Sequence, residues 1–219
     1  MSPDETVAQI RADFAALPKQ DTPSLRGVRK HWTKILKTTD AALVIALAQL
    51  LESSAAQNAK WPGYELIRFH PGAFAAVTEA QIVDFASRIA SWYATDAFGT
   101  ILSGPLWARG RLSDALIDGW SRADDRWLRR SALVATVGRN ATKPDAAATL
   151  DICLRLAADA DDMVEKAVSW ALRYLSQKEP DAVANLMAAH GDKFRPRVRR
   201  EVRNKLATGL KNPQRGSRP

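Results

Sequence analysis

The stretch 163–177, MVEKAVSWALRYLSQ, decides the fold class. Val164, Ala167, Val168, Ala171, Leu172 and Leu175 recur at three- and four-residue spacing. They form one apolar stripe, the mark of a helix that buries a single face. That stripe meets the core requirement without Trp170. The indole falls instead on the face of Lys166, four residues before it, and Arg173, three after it. A large ring held outside the core between two cations has two readings. It packs against a neighbouring helix pair, or it offers a flat surface to a ligand whose charge the cations meet.

The same helical rhythm runs outward in both directions. Alternating apolar–polar runs are missing, and turn signals recur every fifteen to twenty residues or so. Ser2-Pro3, Thr39-Asp40, Thr78-Glu79, Ser113-Asp114 and Lys143-Pro144-Asp145 read as helix starts. The pattern predicts about twelve helices, over 3–17, 24–37, 40–54, 58–69, 79–90, 92–103, 113–121, 125–138, 145–157, 162–177, 180–189 and 196–210. Self-similarity is weak, so regular pairing rather than a repeated motif favours an α-solenoid over a bundle. The expectation is an all-α, HEAT-like helical-repeat solenoid of about six antiparallel pairs, with a concave basic face. Residues 1–211 are expected to form that one domain, and 212–219 a disordered basic tail.

Composition narrows the function classes. The chain has 219 residues, 46% of them hydrophobic, enough for one well-buried domain. No run approaches the ~18 apolar residues of a membrane span. The opening MSPDETVAQIRADF lacks the basic-then-apolar order of a secretory leader, so a cytoplasmic location is expected. Cys153 is the single cysteine and sits among aliphatic residues, which reads as a buried thiol. His31, His70 and His190 show no ligand spacing, and no metal or other cofactor is expected. The net charge is +8, yet from Lys193 onward ten Lys and Arg face one acid, Glu201. Such a concentration points to a polyanionic partner, and nucleic acid is favoured over membrane; a solvated helix and tail is the alternative.

Two further helices carry residues that amphipathicity does not explain. In the segment from Trp92, the residues Ala94, Ala97, Phe98, Ile101 and Leu102 make the buried stripe, while Trp92 and Asp96 lie opposite with Gly99 beside them. Glycine within a helix costs about 1 kcal/mol relative to Ala, which close approach of another backbone would offset. Trp92 alternatively staples the helix start, and Asp96 is alternatively a solvated acid. The segment DDRWLRRSALVATVG, 124–138, is apolar nearly all round and is expected to be buried. Arg129 shares its polar strip with Thr136, but Arg130 has Leu133, Val134 and Val137 beside it. A guanidinium there needs a carboxylate, in a structural ion pair, or a phosphate.

Phosphate-loop, nucleophile-elbow and zinc-protease motifs are missing. Hydrolysis of an ordinary glycosidic bond calls for two carboxylates, one protonating the leaving group. A cationic alkylated purine departs as a neutral base and needs no such acid. One carboxylate near the sugar is then enough to stabilise the oxocarbenium charge and orient water. At ~4 Å and an effective dielectric near 20 this is worth about 4 kcal/mol, or roughly a thousandfold in rate. A flanking indole adds about 0.5–2 kcal/mol of cation–π attraction.

At these residues the chain resembles the AlkD-like DNA alkylation repair family, helical-repeat DNA glycosylases that remove positively charged alkylpurines. The segments are Trp92-Tyr-Ala-Thr-Asp96, Trp127-Leu-Arg-Arg130 and Glu165-Lys-Ala-Val-Ser-Trp170-Ala-Leu-Arg173, the last being the most specific. The resemblance implies that Asp96 is the catalytic carboxylate, that Trp92 and Trp170 pack around the lesion-bearing sugar, and that Arg130 contacts the backbone nearby. Lys166 and Arg173 are then phosphate ligands, and the partner is duplex DNA containing alkylated bases, met by a monomer at the nucleoid. Tyr93 departs from the family, which commonly has an acid there. Trp61-Pro62-Gly63 interrupts an expected helix, and Trp107-Ala-Arg109 adds an aromatic–basic feature. Branches of the family keep the fold without the activity, so a non-catalytic protein that binds distorted or branched DNA is the alternative.

Overall fold

Residues 2–19, 21–56 and 59–213 are described in the computed structural model, and helix is the only regular structure among them. The all-α, paired-helix expectation is borne out. Contacts divide the chain into two compact units, Met1–Leu102 and Ser103–Pro219. Of the tail expected from Asn212 onward, residues 214–219 lie outside the described residues.

The first unit contains α1 (Pro3–Ala15), α2 (Thr22–Ile35), α3 (Ala41–Glu52), α4 (Trp61–Phe69), α5 (Pro71–Ala76), α6 (Glu79–Ser87) and α7 (Trp92–Ala97). Helices α1, α3 and α5 pack in succession as one layer, and α2, α4 and α7 as another. Side-chain caps set the starts. Ser2 and Glu5 exchange hydrogen bonds in a capping box, as do Thr78 and Gln81, and the Asp40 carboxylate accepts from the amides of Ala42 and Leu43. Helix α3 supplies the centre of the core through Val44, Leu47, Ala48 and Leu51. The Trp61-Pro62-Gly63 interruption is the first turn of α4, where proline's missing N–H costs no bond. A Cβ on Gly63 would lie 2.7 Å from the Ala48 carbonyl oxygen, so glycine lets α4 settle against α3. Helix α5 is absent from the sequence reading; it starts where the amide of Ala73 donates to His70 Nδ1 at 2.9 Å.

The second unit contains α8 (Gly104–Ala108), α9 (Asp114–Ser121), α10 (Arg126–Thr142), α11 (Ala146–Arg155), α12 (Asp162–Leu175), α13 (Pro180–His190) and α14 (Pro196–Thr208). Here the repeat is plain. Helices α8, α10, α12 and α14 stack in order as one layer, and α9, α11 and α13 as the other. Aspartates 125, 145 and 161 each accept from backbone amides at the head of α10, α11 and α12. Residues 130–138 of α10 are buried throughout, and every member of the α12 stripe is in the core. Cys153 is fully buried on α11, as its aliphatic setting suggests. No described helix is long and apolar enough to cross a membrane.

Candidate nucleic-acid interface

Seven tryptophans separate into two groups. Trp32, Trp61, Trp107 and Trp120 are buried, whereas Trp127 and Trp170 are half-buried and Trp92 is 54% exposed. The three outside the core are the three carried by the segments singled out in the sequence.

Trp92 opens α7. Ser91, in extended conformation, accepts from the amide of Ala94 at 3.2 Å, and its carbonyl accepts the Thr95 hydroxyl at 2.8 Å. With Ala94, Phe98 and Leu102 turned into the core, Trp92 projects outward. Asp96 follows one turn later, half-buried, and its carbonyl accepts the Thr100 hydroxyl at 2.6 Å. A π-helical turn, Phe98–Ser103, begins two residues beyond it. Such turns re-aim helix faces and occur frequently at functional positions. Gly99 lies in this turn, and just beyond it a Cβ on Gly104 would stand 2.5 Å from the Ala135 carbonyl oxygen.

Beside Trp92 the structure adds residues that sequence reasoning missed. The Tyr93 ring meets the Trp92 ring edge-on at 5.9 Å. Burial and the nearby Glu65 carboxylate push the Tyr93 phenol above its ordinary pKa. Glu65, on α4, pairs with Arg29 of α2 at 2.8 Å, and the Arg29 guanidinium lies 4.1 Å from the Phe69 ring centre. Burial raises the Glu65 pKa against the pull of Arg29 and Arg26. Phe69 is 42% exposed, so this layer of the first unit shows Trp92, Tyr93 and Phe69 to solvent beside arginines. The one signal in the sequence is the acid-free run of cations on α2, Arg26, Arg29, Lys30 and Lys34.

In the second unit Arg130 is buried, and its Nη1 donates to the Met163 carbonyl in the first turn of α12. A backbone oxygen thus takes one of the bonds that the sequence reading reserved for a carboxylate or phosphate, and Arg130 braces α10 against α12. Trp127 carries the Arg126 guanidinium 4.6 Å from its ring. On α12, Trp170 stands off the buried stripe as expected. Lys166 is half-exposed and pairs with Asp162 at 2.6 Å, and Asp162 also accepts from Arg197 of α14 at 2.5 Å. These two cations hold the Asp162 pKa down at about 2. Arg173 turns the other way. Its Nε donates to the Ser169 hydroxyl at 3.1 Å and lies 3.8 Å from Glu201 of α14, and Ser169 donates to that carboxylate at 2.6 Å. Burial lowers the Arg173 pKa while Glu201 opposes the shift.

The basic C-terminal helix is therefore partly neutralised from within. Arg195 and Arg197 reach Glu165, and Lys211 reaches Glu201. Arg199, Arg200 and Arg203 make no ion pair among the described residues. No three His, Cys, Asp or Glu side chains among those residues are grouped to hold a metal ion.

Over residues 20–206 the chain matches the family model described as DNA alkylation repair enzyme. The chain belongs to that family. Trp92, Asp96, Arg130, Lys166, Trp170 and Arg173 all fall inside the matched span. Among solved structures it is similar to a "Predicted DNA alkylation repair enzyme from Enterococcus faecalis", with 18% identity and a TM-score of 0.68 over 94% of this chain and 95% of that one. At that identity the likeness bears on the fold, and it agrees with the stacked helix pairs. No curated protein matches the chain. Membership of the DNA alkylation repair family implies that the chain binds DNA.

Proposed function

We propose that this protein is a monofunctional DNA glycosylase that hydrolyses the N-glycosidic bond of cationic alkylated purines, of the 3-methyladenine and 7-methylguanine type, in duplex DNA. The observation that carries the reading is the exposed Trp92 on the same short helix as Asp96, with the core-facing residues of that helix accounted for by others. Asp96 stabilises the oxocarbenium ion as the C1′–N bond breaks, and it orients the water that adds to C1′. The base leaves neutral, so no general acid is required. Trp92 and Trp170 lay indole faces against deoxyribose and the cationic base. Lys166 meets a backbone phosphate in exchange for Asp162. Arg130 and Arg173, held by Met163 and by Ser169 with Glu201, keep positive charge near the surface that α12 presents. The protein acts in the cytoplasm at the nucleoid, as a monomer and without a cofactor.

Single-turnover release of 7-methylguanine from a methylated duplex tests this. Wild type is expected to release the base, and Asp96→Asn to lose release by about a thousandfold while still binding the duplex. Duplex binding with no release by wild type at high enzyme concentration overturns the glycosylase assignment and leaves a DNA-binding protein.

A further inference from the structure

The last helix pair leaves a groove of about 590 Å³ between α13 and α14. The preceding pair has α13 and α14 packed on it, whereas among the described residues this groove is open. Met187 and Ala184 of α13 and Leu206 and Ala207 of α14 give it an apolar floor. Arg199 and Arg203, one turn apart on α14, line the same groove. Neither makes an ion pair among the described residues, although Arg197 on the same helix and Arg195 just before it are both paired with acids of α12. Asp192 also lines the groove and pairs with neither arginine.

Two unmet demands thus coincide, a pair of guanidinium groups and an apolar recess roomy enough for bulky side chains. A duplex backbone answers only the first, since phosphates reach the arginines and leave Met187 and Leu206 wet. An acidic peptide with a bulky apolar residue answers both. Its carboxylates take bidentate bonds from the arginines, and its apolar side chain covers the floor. We propose that the α13–α14 groove is a docking site for an acidic segment of a partner protein, seating an apolar side chain between Met187 and Leu206 with carboxylates on Arg199 and Arg203. The site uses none of the residues assigned to the base-release reaction, and it would recruit the chain to another protein.

The full chain is titrated into a fluorescein-labelled peptide of consecutive aspartates ending in Leu-Phe, with anisotropy as the readout and no DNA present. Saturable binding is expected. Arg199→Glu and Arg203→Glu each weaken it by about tenfold or more, as does replacing Leu-Phe of the peptide by Ser-Ser. Arg203 is exposed and Arg199 half-buried, and circular dichroism confirms that the variants fold. Asp96→Asn binds the peptide like wild type, and Arg203→Glu releases 7-methylguanine at the wild-type rate if wild type releases it at all. Failure of the glycosylase reading therefore leaves the peptide result intact, and the reverse. The proposal is overturned by no saturable binding, by equal binding of the Ser-Ser peptide, or by indifference to both charge reversals. It is also overturned if unmodified duplex displaces the peptide and Arg203→Glu weakens duplex and peptide equally, which assigns the arginines to DNA.

Discussion

Trp92, on α7, and Trp107, on α8, meet opposite fates. Trp107 is 3% exposed, donates from its indole nitrogen to Asp114 at 2.6 Å, and carries the Arg139 guanidinium 4.1 Å from its ring. Trp107→Ala is expected to cost ~3–5 kcal/mol in urea denaturation, the loss usual for a buried aromatic. Trp92→Ala is expected to change stability by no more than about 0.5 kcal/mol, and to depress release of 7-methylguanine in the same preparation. Loss of stability equal to that of Trp107→Ala would show that Trp92 serves packing. The contrast marks what sequence can reveal about a residue. The apolar stripes of α7 and α12 are complete in the sequence, so Trp92 and Trp170 stand out as surplus. Trp107 looks like another aromatic–basic feature because Arg109 is next to it, but the cation that covers it comes from α10, and only the tertiary fold brings it there. Arg130 is similar. Its need for an acceptor is readable, whereas the acceptor, the Met163 carbonyl, is not.

At the level of elements, caps were the most legible feature, because an aspartate or serine ahead of an apolar run has a local physical task. The errors came where turn chemistry has two meanings. Ser103-Gly104-Pro105 reads as a stop, since proline lacks a donor, yet Pro105 sits in the first turn of α8 where no donor is needed. His70-Pro71-Gly72 hides α5 in the same way, with an imidazole as the cap. Glycine roles are likewise tertiary. A Cβ on Gly104 would lie 2.5 Å from the Ala135 oxygen and 2.6 Å from the Gly138 Cα, so α8 and α10 touch backbone to backbone. Gly104→Ala is therefore expected to destabilise the chain by ~1–3 kcal/mol, read as a lower Tm. Gly119→Ala, inside α9 with open space around its Cβ position, is expected to be neutral or to stabilise by about 0.5–1 kcal/mol. Equal Tm values for the two variants would refute the close approach.

For the molecule as a whole, the net charge of +8 and its concentration after Lys193 are visible in the sequence, but the ion pairs that offset it are not. Acids of α12 neutralise part of the basic C-terminal helix, and this ties folding to pH. Lys166 and Arg197 lower the Asp162 pKa from 3.8 to about 2. A carboxylate lowered in the folded state stabilises it while ionised, so this contribution is present above pH 3.8 and fades as pH falls toward about 2. Asp162→Asn is expected to flatten that part of the acid limb when urea midpoints are followed from about pH 5 down to about pH 2. An unchanged limb would show that the pair contributes nothing in solution. Cys153 has a consequence of a different kind. Burial raises the pKa of this sole thiol, and its sulfur is sealed inside the second unit. Electrophiles that methylate nucleobases also consume thiolates, which are the nucleophilic form of cysteine. A chain of the DNA alkylation repair family that keeps its one sulfhydryl protonated and enclosed gives such reagents no thiolate to attack, so alkylating agents do not disarm it through cysteine.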